Sequence, residues 1–491
     1  MRSLHPPLAM PSTSGVYTCR MPRTLLAAFF VTVSSMAPLS LAQTENAPPL
    51  PLAVVIPRVT AAQDPQQTYA LYLPKRYSPE TRWPVVYIFD PLARGELALH
   101  QFEHAAELHG FIVAASNNSR NGPGAPQIAA AQAMVDDTQQ RFSVDAKRLY
   151  FAGFSGGARV SSQLAVLCKC AAGVVLSGAG FPIGLRPSPD VKFAVFSAVG
   201  NADFNYGEVV LLTEQLEKAA LPSWLRAFDG PHEWAPAEVM DEALAWFRVQ
   251  AMKSKLEPRD NDFIAAQFTA AYQSAASHEK SGELLSAWRE YRQVAATFDS
   301  LIDVAADRAK AESLAEDKVV RDALKRERAG FEEQARLSDD VLSAASLRVD
   351  PGTNSNPFVP PQSAPQLARD LRQHSLAEEK PDRALIFKRA LGGVFIGSIE
   401  SGNAALEKKD YVLAAQYFAC AAEANPESEG VLRQLAIARA LAGDRQAAIE
   451  ALLKARRLAK DADAFAKWVQ DQPSLVRFIP DVNRALSRGK P

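Results

Sequence analysis

The chain has 491 residues, with 54 Lys and Arg against 55 Asp and Glu and 47% hydrophobic side chains, long enough for two or three domains that each bury a core. A formal charge of −1 excludes the basic footprint of a nucleic-acid binder. The composition is that of a soluble globular protein and excludes a disordered or fibrous one.

The N-terminus departs from that average. Met21-Pro-Arg-Thr leads into the apolar run Leu25 to Val33, and Ser40-Leu41-Ala42 precedes Gln43. One positive charge, a short apolar core and a small-residue cleavage site predict a secretory signal peptide over 1–42, with Met21 as an alternative start. Periplasmic or secreted localisation follows. The apolar run is too short to span a membrane, no cysteine stands at the cleavage site for lipid attachment, and no membrane span is expected in the mature chain. Removing 1–42 leaves 51 basic and 55 acidic side chains and the cysteines Cys168, Cys170 and Cys420. Three thiols make no disulfide framework. Cys168-Lys169-Cys170 lacks a nearby His or further Cys for a metal site, so buried or loosely oxidised thiols are expected and no metal.

Residues 43–68 read as a lead-in. From 69 to 252 apolar runs at 69–73, 85–89, 111–115, 149–152, 173–177, 193–199 and 224–228 read as strands. Helical patterns near 97–109, 126–140, 156–167, 207–219 and 235–252 alternate with them. Alternation with non-alternating apolar strands predicts an α/β fold, a mostly parallel sheet with helices on both faces. Such sheets bind ligands at the carboxyl ends of their strands.

After Pro258 the strand patterns stop. Residues 260–348 are helix-forming, and the charged stretch Asp303 to Leu337 predicts a solvated amphipathic helix. "VDPGTNSNPFVPPQSAP", 349–365, predicts a linker or loop. In 366–491, Gly402 and Ala436, Asp410 and Asp444, Ala414 and Ala448, and Ala421 and Ala455 repeat at a constant offset of 34. Small residues there let two helices approach closely, and each aspartate precedes a second helix. With Tyr411, Phe418 and Pro426 the segment resembles the tetratricopeptide repeat. "SGELLSAWREYRQVA", with Gly282, Ala287 and Tyr291, resembles a weaker copy. The resemblance implies an all-α repeat domain and a possible protein partner along it.

The chemistry centres on Gly153-Phe154-Ser155-Gly156-Gly157. It satisfies G-x-S-x-G with a strand before and a helix after, the context in which a serine sits on a sharp turn as nucleophile. Glycines two before and two after allow the close approach. The Gly156 N–H at the helix start favours developing negative charge. A base and an acid should follow in chain order. Only His232, His278 and His374 come after Ser155, and the last two lie beyond the sheet. His232 follows the strand ending at Phe228. Asp203, four residues past Val199, is the best placed acid; Asp190 precedes its strand, Asp229 is too close to His232, and Glu208, Glu214 and Glu217 fall in a helix. The second oxyanion donor should come from 87–95, where Pro91 has no N–H, which leaves Leu92 or Ala93. In the loop Ser116 to Gly122, Asn117 and Asn118 either reach the pocket or cap a turn. Trp234 either walls the pocket or packs the last helix. Arg159 reads as one half of a structural ion pair.

"GFSGGA", the aspartate after "AVGN", and "GPHEW" make 69–250 resemble an α/β-hydrolase of the esterase, dienelactone-hydrolase and polyhydroxybutyrate-depolymerase-like branch. The resemblance implies Ser155 as nucleophile, His232 as general base and acid, and Asp203 as orienter. It implies an ester hydrolase working through an acyl-enzyme on a small or polymeric ester, with no cofactor. Two alternatives share these residues: an inactive scaffold binding a partner through the repeats, suggested by the altered Asp90-Pro91 loop, and a serine peptidase or amidase.

Overall fold

The computed structural model describes residues 50–122, 124–188, 191–347, 363–481 and 484. The expected signal peptide and the expected linker up to residue 362 lie outside them, as does Asp190. The described residues from Pro51 onward belong to one compact unit.

Among the described residues eight strands form one sheet: β1 (Ile56–Thr60), β2 (Thr68–Tyr72), β3 (Trp83–Phe89), β4 (Ile112–Ser116), β5 (Val144–Phe154), β6 (Ala171–Ser177), β7 (Ala194–Gly200) and β8 (Ser223–Phe228). Their order is β1-β2-β4-β3-β5-β6-β7-β8. β1, β2 and β4 pair antiparallel, and every later neighbour is parallel. β1 lies inside the stretch read as a lead-in. It is a five-residue edge strand carrying Pro57 and mostly exposed side chains, so it has no apolar run to announce it.

The helices are α1 (Gly95–His100), α2 (Glu103–His109), α3 (Gly124–Arg141), α4 (Gly156–Cys168), α5 (Tyr206–Lys218) and α6 (Ala237–Lys253) around the sheet. Then come α7 (Asn261–Lys280), α8 (Leu284–Phe298), α9 (Ala305–Glu316), α10 (Lys318–Ser346), α11 (Ala364–Ala377), α12 (Pro381–Glu407), α13 (Tyr411–Ala424), α14 (Glu429–Leu441), α15 (Arg445–Leu458) and α16 (Ala462–Gln470). Every residue of β3 and β7 is buried. Val86, Ile88, Tyr150, Ala152 and Phe154 share one core cluster with Leu99, Phe102, Leu244 and Phe247 of the α1, α2 and α6 region. On the other face the Tyr87 hydroxyl meets Thr138 of α3 at 2.9 Å, and Val199 packs on Val209 of α5. This is the α/β architecture expected, and the strand period of two decides which side chains go to which face.

The helical region is not detached from that core. Ile264, Val294 and Phe298 join the same cluster as the sheet residues, each worth about 2–3 kcal/mol of burial. The charged stretch expected as one helix is two, α9 and α10, because Asp317 adopts an extended conformation and its carboxylate caps Val319 N. The linker expectation ended at 365, whereas α11 begins at Ala364 with Pro365 in its first turn, a position that tolerates a missing N–H.

The offset of 34 has a physical counterpart. Asp410 and Asp444 cap α13 and α15 through Leu413 N and Ala447 N. Ala414, Ala421, Ala436, Ala448 and Ala455 are fully buried. A Cβ on Gly402 would stand 2.9 Å from the Phe418 ring, so this contact requires glycine. Ala287 and Tyr291 of the weaker copy pack instead in their own cluster with Ala275, Leu314 and Val320. Cys168 and Cys170 are joined in a disulfide across Lys169, with Cα atoms 5.1 Å apart. Cys420 is buried, and burial pushes its thiol up to about 12.

Candidate active site

The site grows from the switch point between β3 and β5, where the chain winds to opposite sides and a crevice opens at the carboxyl ends of the strands. Ser155 follows β5 directly, at φ 52 and ψ −120, a conformation that non-glycine residues avoid. Its neighbours explain the glycines. A Cβ on Gly153 would lie 2.2 Å from the Gly157 backbone, and one on Gly157 would lie 2.0 Å from the carbonyl oxygen of Phe89. The turn is possible only because α4 starts against the end of β3 with no side chain between them. Ser155 N donates to the Ser177 carbonyl at 2.8 Å, which fixes the turn to β6.

Asp203 comes three residues after β7, and His232 four after β8. The two loops are tied together: Asn201 N donates to Phe228 O at 2.8 Å and Ala202 N to Gly230 O at 3.0 Å. Asp203 is fully buried and accepts from Asn205 N at 2.8 Å. Both its oxygens lie 2.9 Å from His232 Nδ1, and His232 Nε2 lies 2.9 Å from Ser155 Oγ. A carboxylate only accepts, so Nδ1 carries the proton and donates it, leaving Nε2 to accept from the serine hydroxyl. The imidazole stands between Phe154 and Phe204, with ring centres 4.6 and 4.3 Å away. The structure thus brings Ser155, His232 and Asp203 into one hydrogen-bonded chain, an arrangement that can move a proton off a hydroxyl as it attacks a carbonyl.

Other expected residues go elsewhere. Leu92 N donates to Asp90 Oδ1 at 2.8 Å and Ala93 N to the Asp90 carbonyl at 3.1 Å, so neither N–H is free for an oxyanion. Asp90 is buried, which opposes its charge, but bonds from Arg94, Trp234 and Leu92 outweigh that and hold its carboxyl below the usual carboxylate range. Trp234 is one of those donors, through Nε1 to Asp90 Oδ2 at 2.9 Å. It is buried in the core against Phe102 and Phe154 and anchors the His232 loop rather than walling the pocket. Asn117 Nδ2 donates to Pro57 O. Asn118 Oδ1 accepts from Thr68 N and its Nδ2 donates to Gln66 O. Both are spent on the β1–β2 edge. Arg159 pairs with Glu208 at 2.8 and 2.9 Å and also donates to Phe181 O, the ion pair expected of it.

The cavity at Ser155, about 430 Å³, is lined from the same loop by Asn121 and Gly122 instead. Asn121 N donates to Pro91 O at 2.8 Å, which lays its side-chain amide against Gly156, where a Cβ would collide with it. Arg159, Val160 and Gln163 of α4, Gln127, Phe204 and Asn205 also line it, with Ile396 and Glu400 from α12. Nothing in the sequence pointed to α12, because its distance along the chain carries no information about the approach. Among the described residues no group of three or more His, Cys, Asp or Glu side chains is placed to hold a metal ion, and no helix is long and apolar enough to cross a membrane.

No family model matches the chain, and no curated protein sequence matches it. Solved structures do. The S-formylglutathione hydrolase from Staphylococcus aureus is 16% identical, covering 37% of this chain and 90% of its own, with a TM-score of 0.31. The hyperthermophilic esterase from the archaeon Pyrobaculum calidifontis is 14% identical over 41% of this chain and 87% of its own, at a TM-score of 0.34. A thermostable carboxylesterase from a metagenomic library is 15% identical over 41% and 90%, at a TM-score of 0.33.

Proposed function

We propose that the protein is a secreted or periplasmic serine hydrolase that cleaves carboxylic esters through Ser155, His232 and Asp203. The observation that carries this reading is the unbroken chain of 2.9 Å hydrogen bonds from Ser155 through His232 to buried Asp203, mounted on a strained turn. Ser155 Oγ attacks the ester carbonyl while His232 Nε2 takes its proton. Asp203 holds the imidazole in the tautomer that can accept it and stabilises the cation that forms. The tetrahedral oxyanion receives the Gly156 N–H at the start of α4 and, after a half-turn of its amide, Nδ2 of Asn121. His232 then returns the proton to the leaving alcohol, and water releases the acyl group by the same steps in reverse.

The reading is tested by labelling the purified mature protein with a fluorophosphonate and measuring hydrolysis of short-chain p-nitrophenyl esters. Labelling and turnover are expected, with both lost in a folded Ser155→Ala variant. Folded wild-type protein that neither labels nor hydrolyses any ester of the panel refutes it.

A further inference from the structure

α12 turns one stripe toward the loop between β7 and α5. Arg389, Gly393, Ile396 and Glu400 recur at intervals of four, three and four, the spacing of one helix face. Arg389 Nε donates to Asn201 O at 2.6 Å, and its guanidinium lies 3.9 Å from the Tyr206 ring centre. Gly393 packs between Ser338 of α10 and Phe204, where a Cβ would stand 3.2 and 3.8 Å off, and one on Gly392 beside it would stand 3.6 Å from the Phe204 ring. From α10, Gln334 Nε2 donates to Phe204 O at 2.7 Å. These contacts seat the helical region on the Asp203 loop, and Ile396 and Glu400 then fall on the cavity that holds Ser155.

The charges around that cavity do not cancel. Arg159 is matched by Glu208. Buried Asp203 is hydrogen-bonded to His232 and lies in the field of Arg389. Glu400 has no hydrogen bond or close ion pair among the described residues; burial raises its carboxyl above the usual carboxylate range, and Arg159 and His232 offset that only in part. A carboxylate left over in the same cavity as an aromatic ring, here Phe204, is a combination that holds an organic cation: the charge attracts it and the ring adds a cation–π contact.

Resting on the reading of Ser155 as the nucleophile, we infer that α12 completes the substrate pocket and that Glu400 makes it selective for esters carrying an ammonium group. The helical region is then part of the enzyme's substrate recognition, and Glu400 is a specificity-determining residue.

The test uses two phosphonofluoridates identical except that one ends in a trimethylammonium group and the other in a neutral tert-butyl group of the same shape. Each forms the Ser155 Oγ–P bond as the P–F bond breaks; fluoride leaves and His232 takes the serine proton. The second-order labelling rates are measured on the full-length protein, on Glu400→Gln and on Glu400→Lys. Wild type is expected to react faster with the cationic reagent. The ratio of the two rates should fall about fivefold to tenfold in Glu400→Gln, as for unit charges about 6 Å apart at an effective dielectric constant of about 40 to 60, and further in Glu400→Lys. Circular dichroism matching wild type establishes that both variants are folded before their ratios are compared. Ser155 labelled equally by both reagents in wild type, or a ratio untouched by both substitutions, overturns the selectivity while the serine hydrolase stands. Wild type labelled by neither reagent overturns both.

Discussion

Asp203→Asn isolates the electrostatic half of the proposed mechanism. The side chain is fully buried and nearly isosteric, so the space it fills hardly changes. What changes is the charge beside the imidazolium that forms when His232 accepts the serine proton. With both carboxylate oxygens 2.9 Å from Nδ1, the two charge centres lie about 4 Å apart, and at an effective dielectric constant of about 20 their attraction is about 4 kcal/mol. At 1.36 kcal/mol per decade that is about a thousandfold in rate. An asparagine can also present its NH₂ to Nδ1 and favour the wrong tautomer, which lowers the rate further. The assay is kcat/KM on p-nitrophenyl acetate, with thermal unfolding run beside it, since Arg389 loses the charge it faces. A folded variant within tenfold of wild type would refute the assigned role of Asp203.

Asn121→Ala removes the proposed second oxyanion donor from an exposed loop, so folding should be unaffected while kcat falls about 100- to 1,000-fold; an unchanged kcat would rule out Asn121 as that donor. His109, the buried last residue of α2, has its imidazole held down at about 4 from its ordinary 6.5, first by burial and then by the charge of Arg248. The unfolded chain therefore takes up this proton at higher pH than the folded one. Its contribution is complete above about pH 6.5 and is lost as pH falls toward 4, about 3 kcal/mol in all. Urea unfolding at pH 7 and pH 4.5 should show His109→Gln losing less stability across that interval than wild type, and equal losses in both proteins would contradict the assignment.

How much could be read in advance depended on whether a residue's task is local. The buried strands were visible because a parallel sheet covered on both faces must be apolar throughout, as β3 and β7 are. β1 was not, since a short edge strand with a proline carries no such demand. The turn at Ser155 was visible because backbone crowding there admits only glycine at 153 and 157, a demand written in two letters. Asn117, Asn118 and Trp234 looked equally suited to pocket or scaffold, because a polar loop residue and an aromatic near a histidine have partners on other strands that spacing does not reveal. Leu92 failed for a related reason: the Asp90 carboxylate two residues earlier captures its N–H and, through Trp234, holds the His232 loop.

Chain order and local sterics thus determined that one serine, one aspartate and one histidine stand at strand ends on the same edge of an α/β sheet. Only folding decided what surrounds them. The wall opposite Ser155 comes from α12, brought there by Arg389 on Asn201 and by helix faces whose small residues set how closely they pack. A periodic pattern specifies which side of a helix is buried, but which surface it meets, and therefore that Glu400 lines the cavity at Ser155, depends on shape complementarity between segments far apart in the chain.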